Sequence, residues 1–99
     1  MNDEKYGPVG SRIILENDLV RVWEVQLAAG ERLSMHHHTL PYLIIPLEVA
    51  HNRLISIDGT AQDIEEVVGQ IVFREAGQIH ELHNVGTTHY RNLLVEIKK

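Results

Sequence analysis

Short runs of β-forming residues, separated by turn residues at near-regular spacing, are the feature that most constrains the fold of this 99-residue chain. Nine segments have the length and the content of β-branched or aromatic residues that strands require. They span residues 12–15, 19–27, 32–38, 42–45, 52–58, 61–67, 70–73, 78–85 and 90–97. So many short strands in so short a chain predict an all-β fold, namely a small antiparallel barrel or sandwich.

The boundaries between these segments carry recognisable turn signals. Asp58-Gly59 is the strongest of them, since this dipeptide supplies the positive φ angles of a two-residue hairpin. Only residues 63–68 have some helical character, and they are too few to predict a helix. The sequence therefore predicts an N-terminal arm at residues 1–10, followed by one domain at residues 11–99.

Composition excludes several classes of function. Cysteine is absent, which excludes disulfides, thiolate ligands and cysteine nucleophiles and is typical of a reducing compartment. The net charge of −5 lacks the basic excess of nucleic-acid-binding domains. No apolar run approaches the roughly 20 residues of a membrane helix. We therefore expect a cytoplasmic protein with neither a nucleic-acid nor a membrane partner.

Three consecutive histidines, His36 to His38, stand in one predicted strand. Because side chains alternate along a strand, His36 and His38 share one face, about 7 Å apart, and His37 points to the other. Arg32 and Ser34 have the same parity as His36 and are predicted to share its face. Two imidazoles at this spacing can converge on one metal ion, but an exposed polar strand face would explain the same pair.

A further histidine lies in GQIVFREAGQIHELHN, residues 69–84, which reads G-x5-E-x-G-x2-H-x3-N. This pattern resembles the second conserved motif of the cupin superfamily, G-x5-P-x-G-x2-H-x3-N, with Glu75 in place of the proline. The stretch GERLSMHHHTLPY resembles the first cupin motif, G-x5-H-x-H-x3-4-E-x6-G, and matches it at Gly30, His36 and His38. The two motifs occur in the expected order, which makes the pair far more specific than either motif alone.

The resemblance implies a small jelly-roll barrel, the double-stranded β-helix of cupins, with His36, His38 and His80 as metal ligands inside it. It also implies one divalent transition metal, with Fe(II) favoured and Ni, Zn, Mn or Cu as alternatives. Elementary chemistry agrees, because neutral imidazoles suit these ions better than Mg or Ca, which prefer oxygen ligands. Asn84 shares the parity of His80 and is predicted to form hydrogen bonds either near the site or at a strand end.

The sequence departs from the first cupin motif where its glutamate ligand belongs. That position holds Tyr42 or Leu43, and Glu48 lies too far along the chain to replace the acid. We therefore predict a centre of three histidines without a carboxylate, with open positions for water, dioxygen or an anionic substrate. Tyr42 is predicted to line this open side as a hydrogen-bond donor and candidate catalytic residue, with a barrel-mouth aromatic as the alternative. Arg32 and Arg91 are candidates for binding a substrate carboxylate, although solvated arginines would explain both.

These features favour a mononuclear metalloenzyme of dioxygenase or isomerase type that acts on a small carboxylate or carbonyl compound. The alternatives are a non-catalytic module that binds metal and ligand for sensing or regulation, and a metal that only stabilises the barrel. The expected partner is a small, anionic molecule. Exposed strand edges and the N-terminal arm further predict a homodimer, as in many cupins.

Overall fold

The computed structural model describes residues 6–99. This part of the chain contains nine strands and no helix, which confirms the all-β prediction. The strands are β1 (Arg12–Glu16), β2 (Val20–Leu27), β3 (Arg32–His37), β4 (Tyr42–Glu48), β5 (Asn52–Ser56), β6 (Ala61–Ile64), β7 (Val72–Arg74), β8 (Ile79–Asn84) and β9 (Tyr90–Ile97). Within the described residues, no helix has the length and apolar character that crossing a membrane requires.

The strands form two antiparallel sheets that face each other across the core. One sheet has the order β1-β2-β9-β4-β7 and the other has the order β3-β8-β5-β6. The chain therefore passes from one sheet to the other several times, so that side chains from distant segments meet between the layers. Buried apolar and aromatic side chains from both sheets and the N-terminal segment form this core: Val9, Val25, Leu27, Tyr42, Leu82, Tyr90 and Leu94.

Alternation along the strands decides which side chains reach the space between the sheets. Along β8 every second residue is buried, namely His80, Leu82 and Asn84. Strand β9 alternates in the same way from Tyr90 to Glu96. These two strands lie inside their sheets, and they present their polar residues to the interior as well as their apolar ones.

Strand β3 departs from regular alternation at one point. Leu33 pairs with Leu82 and His36 pairs with His80, so three residue steps on β3 match two steps on β8. This irregularity is a β-bulge, which adds one residue to the strand and reverses its parity. Leu33 therefore packs against the core although it is an odd number of residues from His36.

The predicted face of Arg32 and Ser34 is wrong because of this bulge. Both side chains are exposed, and Arg32 Nη1 lies 3.9 Å from Glu81 Oε2 on the outer surface. His36 and His38 still share the inner face, because the bulge precedes both of them.

The hairpin between β5 and β6 also differs from the prediction. In this connection Gly59 has a positive φ, of 91°, whereas the φ of Asp58 is not positive. The Gly59 N–H donates to the Ser56 carbonyl at 2.8 Å, and the Ser56 N–H donates to the Thr60 carbonyl at 2.9 Å. The connection is therefore a three-residue loop with glycine in the left-handed position, rather than a two-residue hairpin.

Residues 63–68 form no helix, because β6 ends at Ile64 and the chain then crosses to the other sheet. There the Gly69 N–H donates to the Pro46 carbonyl at 2.9 Å. Half of the predicted N-terminal arm, residues 1–5, lies outside the described residues. In the other half, Val9 is buried in the core.

Candidate metal centre

Three imidazoles meet at the inner surface of the four-stranded sheet. His36 and His80 are direct cross-strand partners on β3 and β8, and His38 follows the end of β3. The ring centroids are 4.8, 4.8 and 4.9 Å apart, and one nitrogen of each ring lies within 4.8 Å of the other two. All three side chains are buried. The structure thus brings the predicted ligands together in an arrangement that could hold one metal ion.

Hydrogen bonds orient these rings for metal binding. His36 Nδ1 lies 2.8 Å from the Ser34 carbonyl oxygen, which can only accept, so Nδ1 carries the ring proton and Nε2 keeps its lone pair. His38 Nε2 and His80 Nε2 are 3.1 Å apart and hydrogen-bonded, so these nitrogens also converge, and the one that donates would have to give up its proton for both to bind a metal ion. Three imidazoles in this orientation fit a divalent transition metal, for which nitrogen is a favoured ligand.

Burial keeps these imidazoles uncharged. It lowers the pKa of His38 to about 2 and the pKa of His80 to about 4, and the neighbouring His36 adds to both shifts. Burial also lowers the pKa of His36. A metal ligand must be a neutral imidazole, so at neutral pH the rings are already in the protonation state that binding requires.

Tyr42 lies beside this group of rings. Its ring stacks on His38 with centroids 4.0 Å apart and an interplanar angle of 14°. Its hydroxyl donates to Gln78 Oε1 at 2.8 Å. Burial raises the pKa of Tyr42 to about 12, so the phenol stays neutral and can act as a hydrogen-bond donor.

Carboxylates are missing from the group of candidate ligands. In the described part of the chain, that group consists of histidines alone. Glu48 is exposed and lies 2.9 Å from His89 Nδ1, and Glu81 lies near Arg32 on the outer face. Neither of these two acids therefore lies with the three imidazoles.

The arginine that faces the cavity is not one of those proposed from the sequence. Arg91 Nε lies 2.7 Å from the Glu24 carboxylate on the outer face of its sheet, so its proposed contact with a substrate is wrong. Arg74, on the edge strand β7, is instead the cross-strand partner of Tyr42 and lines the cavity. It forms no ion pair within residues 6–99. Only the pairing of β7 with β4 could have indicated it, and local sequence does not encode that pairing.

The three imidazoles face a cavity between the sheets. Its volume is about 90 Å³, which is below the roughly 300–1,000 Å³ of small-molecule sites. Tyr42, Arg74 and His80 also border a groove of about 550 Å³, which continues to the surface between the edge strands β6 and β7. Most of the remaining wall near the rings is apolar, with Val25, Leu33, Leu54, Leu82 and Leu94.

Asn84 has a structural role. Of the two positions predicted for its hydrogen bonds, near the site or at a strand end, the structure has the strand end. Its Nδ2 donates to the Leu27 carbonyl at 3.0 Å and to the Thr88 carbonyl at 2.8 Å. Its Oδ1 accepts from the Gly86 N–H at 3.1 Å. The side chain thereby joins the end of β2 to the turn before β9.

Comparison with known proteins identifies the fold. No protein-family model matches the sequence, and no curated protein is significantly similar to it. A cupin domain from Bordetella pertussis Tohama I superimposes with a TM-score of 0.80 and 23% identity, covering 94% of this chain and 100% of that chain. An RmlC-like cupin family protein from Methanocaldococcus jannaschii gives a TM-score of 0.72 and 15% identity, covering 87% of this chain and 76% of that chain.

A third similar structure is a predicted oxalate decarboxylase from Thermotoga maritima. Its TM-score is 0.63 and its identity 22%, and the match covers 86% of this chain and 76% of that chain. Identities this low establish a common fold and leave the activity to be argued from the site. The resemblance seen in the two sequence motifs is thus confirmed at the level of structure: this chain has the double-stranded β-helix fold of cupins.

Proposed function

We propose that this protein is a small metal-dependent enzyme, of dioxygenase or isomerase type, that acts on a small anionic carboxylate or carbonyl compound. One observation carries the proposal: His36, His38 and His80 face a cavity that opens to solvent, with no carboxylate among them. Three protein ligands leave coordination positions for a substrate, which is typical of catalytic metal sites, whereas structural sites are closed by four protein ligands.

We favour Fe(II) as the metal, with Ni, Zn, Mn or Cu as alternatives, because imidazole nitrogens suit all of these ions. When bound, such an ion would polarise a substrate oxygen as a Lewis acid, and iron would add redox chemistry. The fit of the donor set supports this assignment, since the three rings are neutral and Ser34 holds the His36 proton on the nitrogen away from the cavity.

Two further side chains support an anionic substrate. Arg74 places a guanidinium without an ion-pair partner among the described residues at the opening of the cavity, next to Tyr42. A planar guanidinium can bind a carboxylate through two parallel hydrogen bonds. The neutral Tyr42 hydroxyl lies at the same opening and would donate its one proton to the substrate in place of Gln78, which is the catalytic contact that we assign to it.

The first test is metal analysis of untagged protein purified without a nickel column. We expect one ion per chain, which His80→Ala removes while the fold is kept. His83→Ala is the matched control, because His83 lies on the same strand and is not part of the inward-facing group. Undiminished metal in His80→Ala would refute the assigned ligands.

The second test separates the enzyme from the alternative, a non-catalytic module that binds metal and ligand. Oxygen uptake and isomerisation are measured with Fe(II)-reconstituted protein on a panel of small carboxylates and carbonyl acids. Turnover that is reduced in Tyr42→Phe and Arg74→Gln would support the enzyme. Ligand binding without turnover of any compound would support the binding module.

We also propose a homodimer in the cytoplasm. Ile13, Ile14 and Leu15 of the edge strand β1 are 45%, 43% and 51% exposed, and the same edge of a second copy could cover them. Light scattering would then give twice the mass of the chain, and Leu15→Lys would shift it to the monomer. A monomeric wild type would refute the dimer. The absence of cysteine supports the cytoplasmic location.

A further inference from the structure

A second polar group lines the cavity beyond its apolar wall. Tyr90 and Asn92 face inward from β9, and Glu66 lines the same space from the loop between β6 and β7. Asn92 Nδ2 donates to the Tyr90 hydroxyl at 2.7 Å, and burial and the nearby Glu66 carboxylate raise the pKa of that hydroxyl. The hydroxyl therefore keeps its proton, and because it accepts from Asn92 this proton remains to be donated elsewhere.

The group offers hydrogen-bond acceptors that the protein does not use. Asn92 Oδ1 and Asn52 Oδ1 are buried without a partner in the described part of the chain, and their residues are only 3% and 1% exposed. Glu66 is half-buried and forms no ion pair with any residue of that part, although the positive charge of Arg74 counteracts the rise of its pKa that burial causes. Buried acceptors are almost always satisfied in folded proteins, so the two amide oxygens indicate that something else supplies the donors.

Strand geometry separates this group from the metal centre. On β5, Ser56 lies opposite His80, whereas Asn52 lies opposite Asn84. Four residues along a strand correspond to about 13 Å. A ligand that reaches both places must therefore be an extended chain of several atoms with a polar group at each end.

We propose that Glu66, Asn92 and Asn52, which we term the acceptor subsite, bind the ammonium group of a ligand whose anionic end faces the metal centre. A primary ammonium has three N–H donors and no acceptor, and the subsite offers two amide oxygens and a carboxylate. The positive charge would also compensate the Glu66 carboxylate, whose pKa burial raises because the charged form is poorly solvated there.

The ligand class that follows is an amino acid with its amine and its carboxylate at opposite ends of the chain. Arg74, at the cavity opening, supplies a cation for the carboxylate. The assignment of the anionic end rests on the proposed function, whereas the assignment of the ammonium end depends only on the acceptor subsite. The two can therefore be tested separately.

Pairs of probes that differ only in the ammonium group test the subsite. Calorimetric titration of the untagged wild-type protein compares pentanoate with 5-aminopentanoate, and then the shorter and longer homologues from 3-aminopropanoate to 6-aminohexanoate. We expect the amino acid to bind about tenfold more tightly than the alkanoate at the best chain length. Equal affinity at every length, or binding of neither probe, would overturn the proposal without any variant.

Variants then locate the effect. Glu66→Gln keeps the size of the side chain and removes its charge, so we expect the preference to fall to within about twofold. Glu75→Gln is the matched control, since this exposed acid is adjacent to Arg74 in sequence and does not line the cavity. An undiminished preference in Glu66→Gln would refute the subsite.

Metal content, measured on the same samples, separates failure of the subsite from failure of the proposed function. Protein with one bound metal and no preference for the ammonium probe refutes only the acceptor subsite. A preference for that probe in protein that binds no metal refutes only the metal-dependent function.

Discussion

Asn84 allows a direct test of what the last residue of the second motif contributes. Asn84→Asp keeps the size of the side chain and the acceptor for the Gly86 N–H, but an ionised aspartate has no proton to donate. The carbonyls of Leu27 and Thr88 then lose their hydrogen bonds and face a carboxylate at a position that is 1% exposed. The substitution should therefore destabilise the fold although it changes one atom.

The magnitude follows from the two lost hydrogen bonds. Each contributes about 1 kcal/mol net, and the buried Leu27 carbonyl left without this donor costs about 1 kcal/mol more, whereas water can reach the exposed Thr88. We expect Asn84→Asp to lower the free energy of unfolding by about 3 kcal/mol, a large part of the roughly 5–15 kcal/mol of a typical domain. Asn17→Asp is the control, because Asn17 Oδ1 only accepts, from the Leu19 and Val20 N–H groups at 2.8 and 3.0 Å. That variant should stay within about 0.5 kcal/mol of the wild type.

Urea unfolding, followed by the fluorescence of the single tryptophan, Trp23, measures both variants. Folded Asn84→Asp should retain its metal, because Asn84 lies four residues, or about 13 Å, along β8 from His80. If Asn84→Asp destabilises the protein no more than Asn17→Asp does, the reasoning about its hydrogen bonds is refuted.

Three further predictions concern acid stability, metal binding and packing. Metal-free protein should lose stability as the pH falls from 6.5 towards 4, because imidazoles titrate in the unfolded chain while folded His38 and His80 have pKa values of about 2 and about 4. Each of these two histidines would lower the free energy of unfolding by about 1.4 kcal/mol for every pH unit below 6.5, and above pH 6.5 the stability would be complete. A urea midpoint that does not change from pH 4.5 to 7 would contradict this. A chelator should lower the melting temperature of the wild type and leave that of His80→Ala unchanged. If the free metal concentration before chelation is a hundred times the Kd, the loss corresponds to about 2.7 kcal/mol. Gly10→Ala would place a Cβ 2.7 Å from the Cβ of Trp23 and should cost about 1–3 kcal/mol, so an unchanged midpoint would show that Trp23 can move aside.

The metal-binding group could be predicted from sequence because its signals are local or nearly so. His36 and His38 are two residues apart beyond the bulge, so they share a face whatever happens earlier in the strand. His80 lies in a motif whose spacing resembles that of cupins, and the fold that this motif implies is confirmed by the solved structures. In all of these cases, strand period and short-range spacing carry the information.

The residues that sequence analysis missed depend on contacts between distant segments. Arg32 was assigned to the wrong face because a bulge does not show in the residue pattern. Arg74 faces the cavity because β7 pairs with β4, and Glu66 does so because its loop crosses between the sheets. Register, bulges and loop paths are set by tertiary packing, so the wall of the cavity could not be predicted in the way that the imidazoles were.

The bulge in β3 does more than reverse the alternation of side chains along the strand. The two residues without a partner on β8, Ser34 and Met35, have carbonyls that make other bonds: the Ser34 oxygen accepts from His36 Nδ1, and the Met35 oxygen accepts from the Gly7 N–H at 2.9 Å. A deletion that straightened β3 could keep His36 facing inward, yet it would remove the acceptor that fixes its tautomer and the anchor of the N-terminal segment. The irregular point in the sheet therefore links the N-terminal segment to the tautomer of a metal ligand, so a change near Gly7 can alter metal affinity without touching the site.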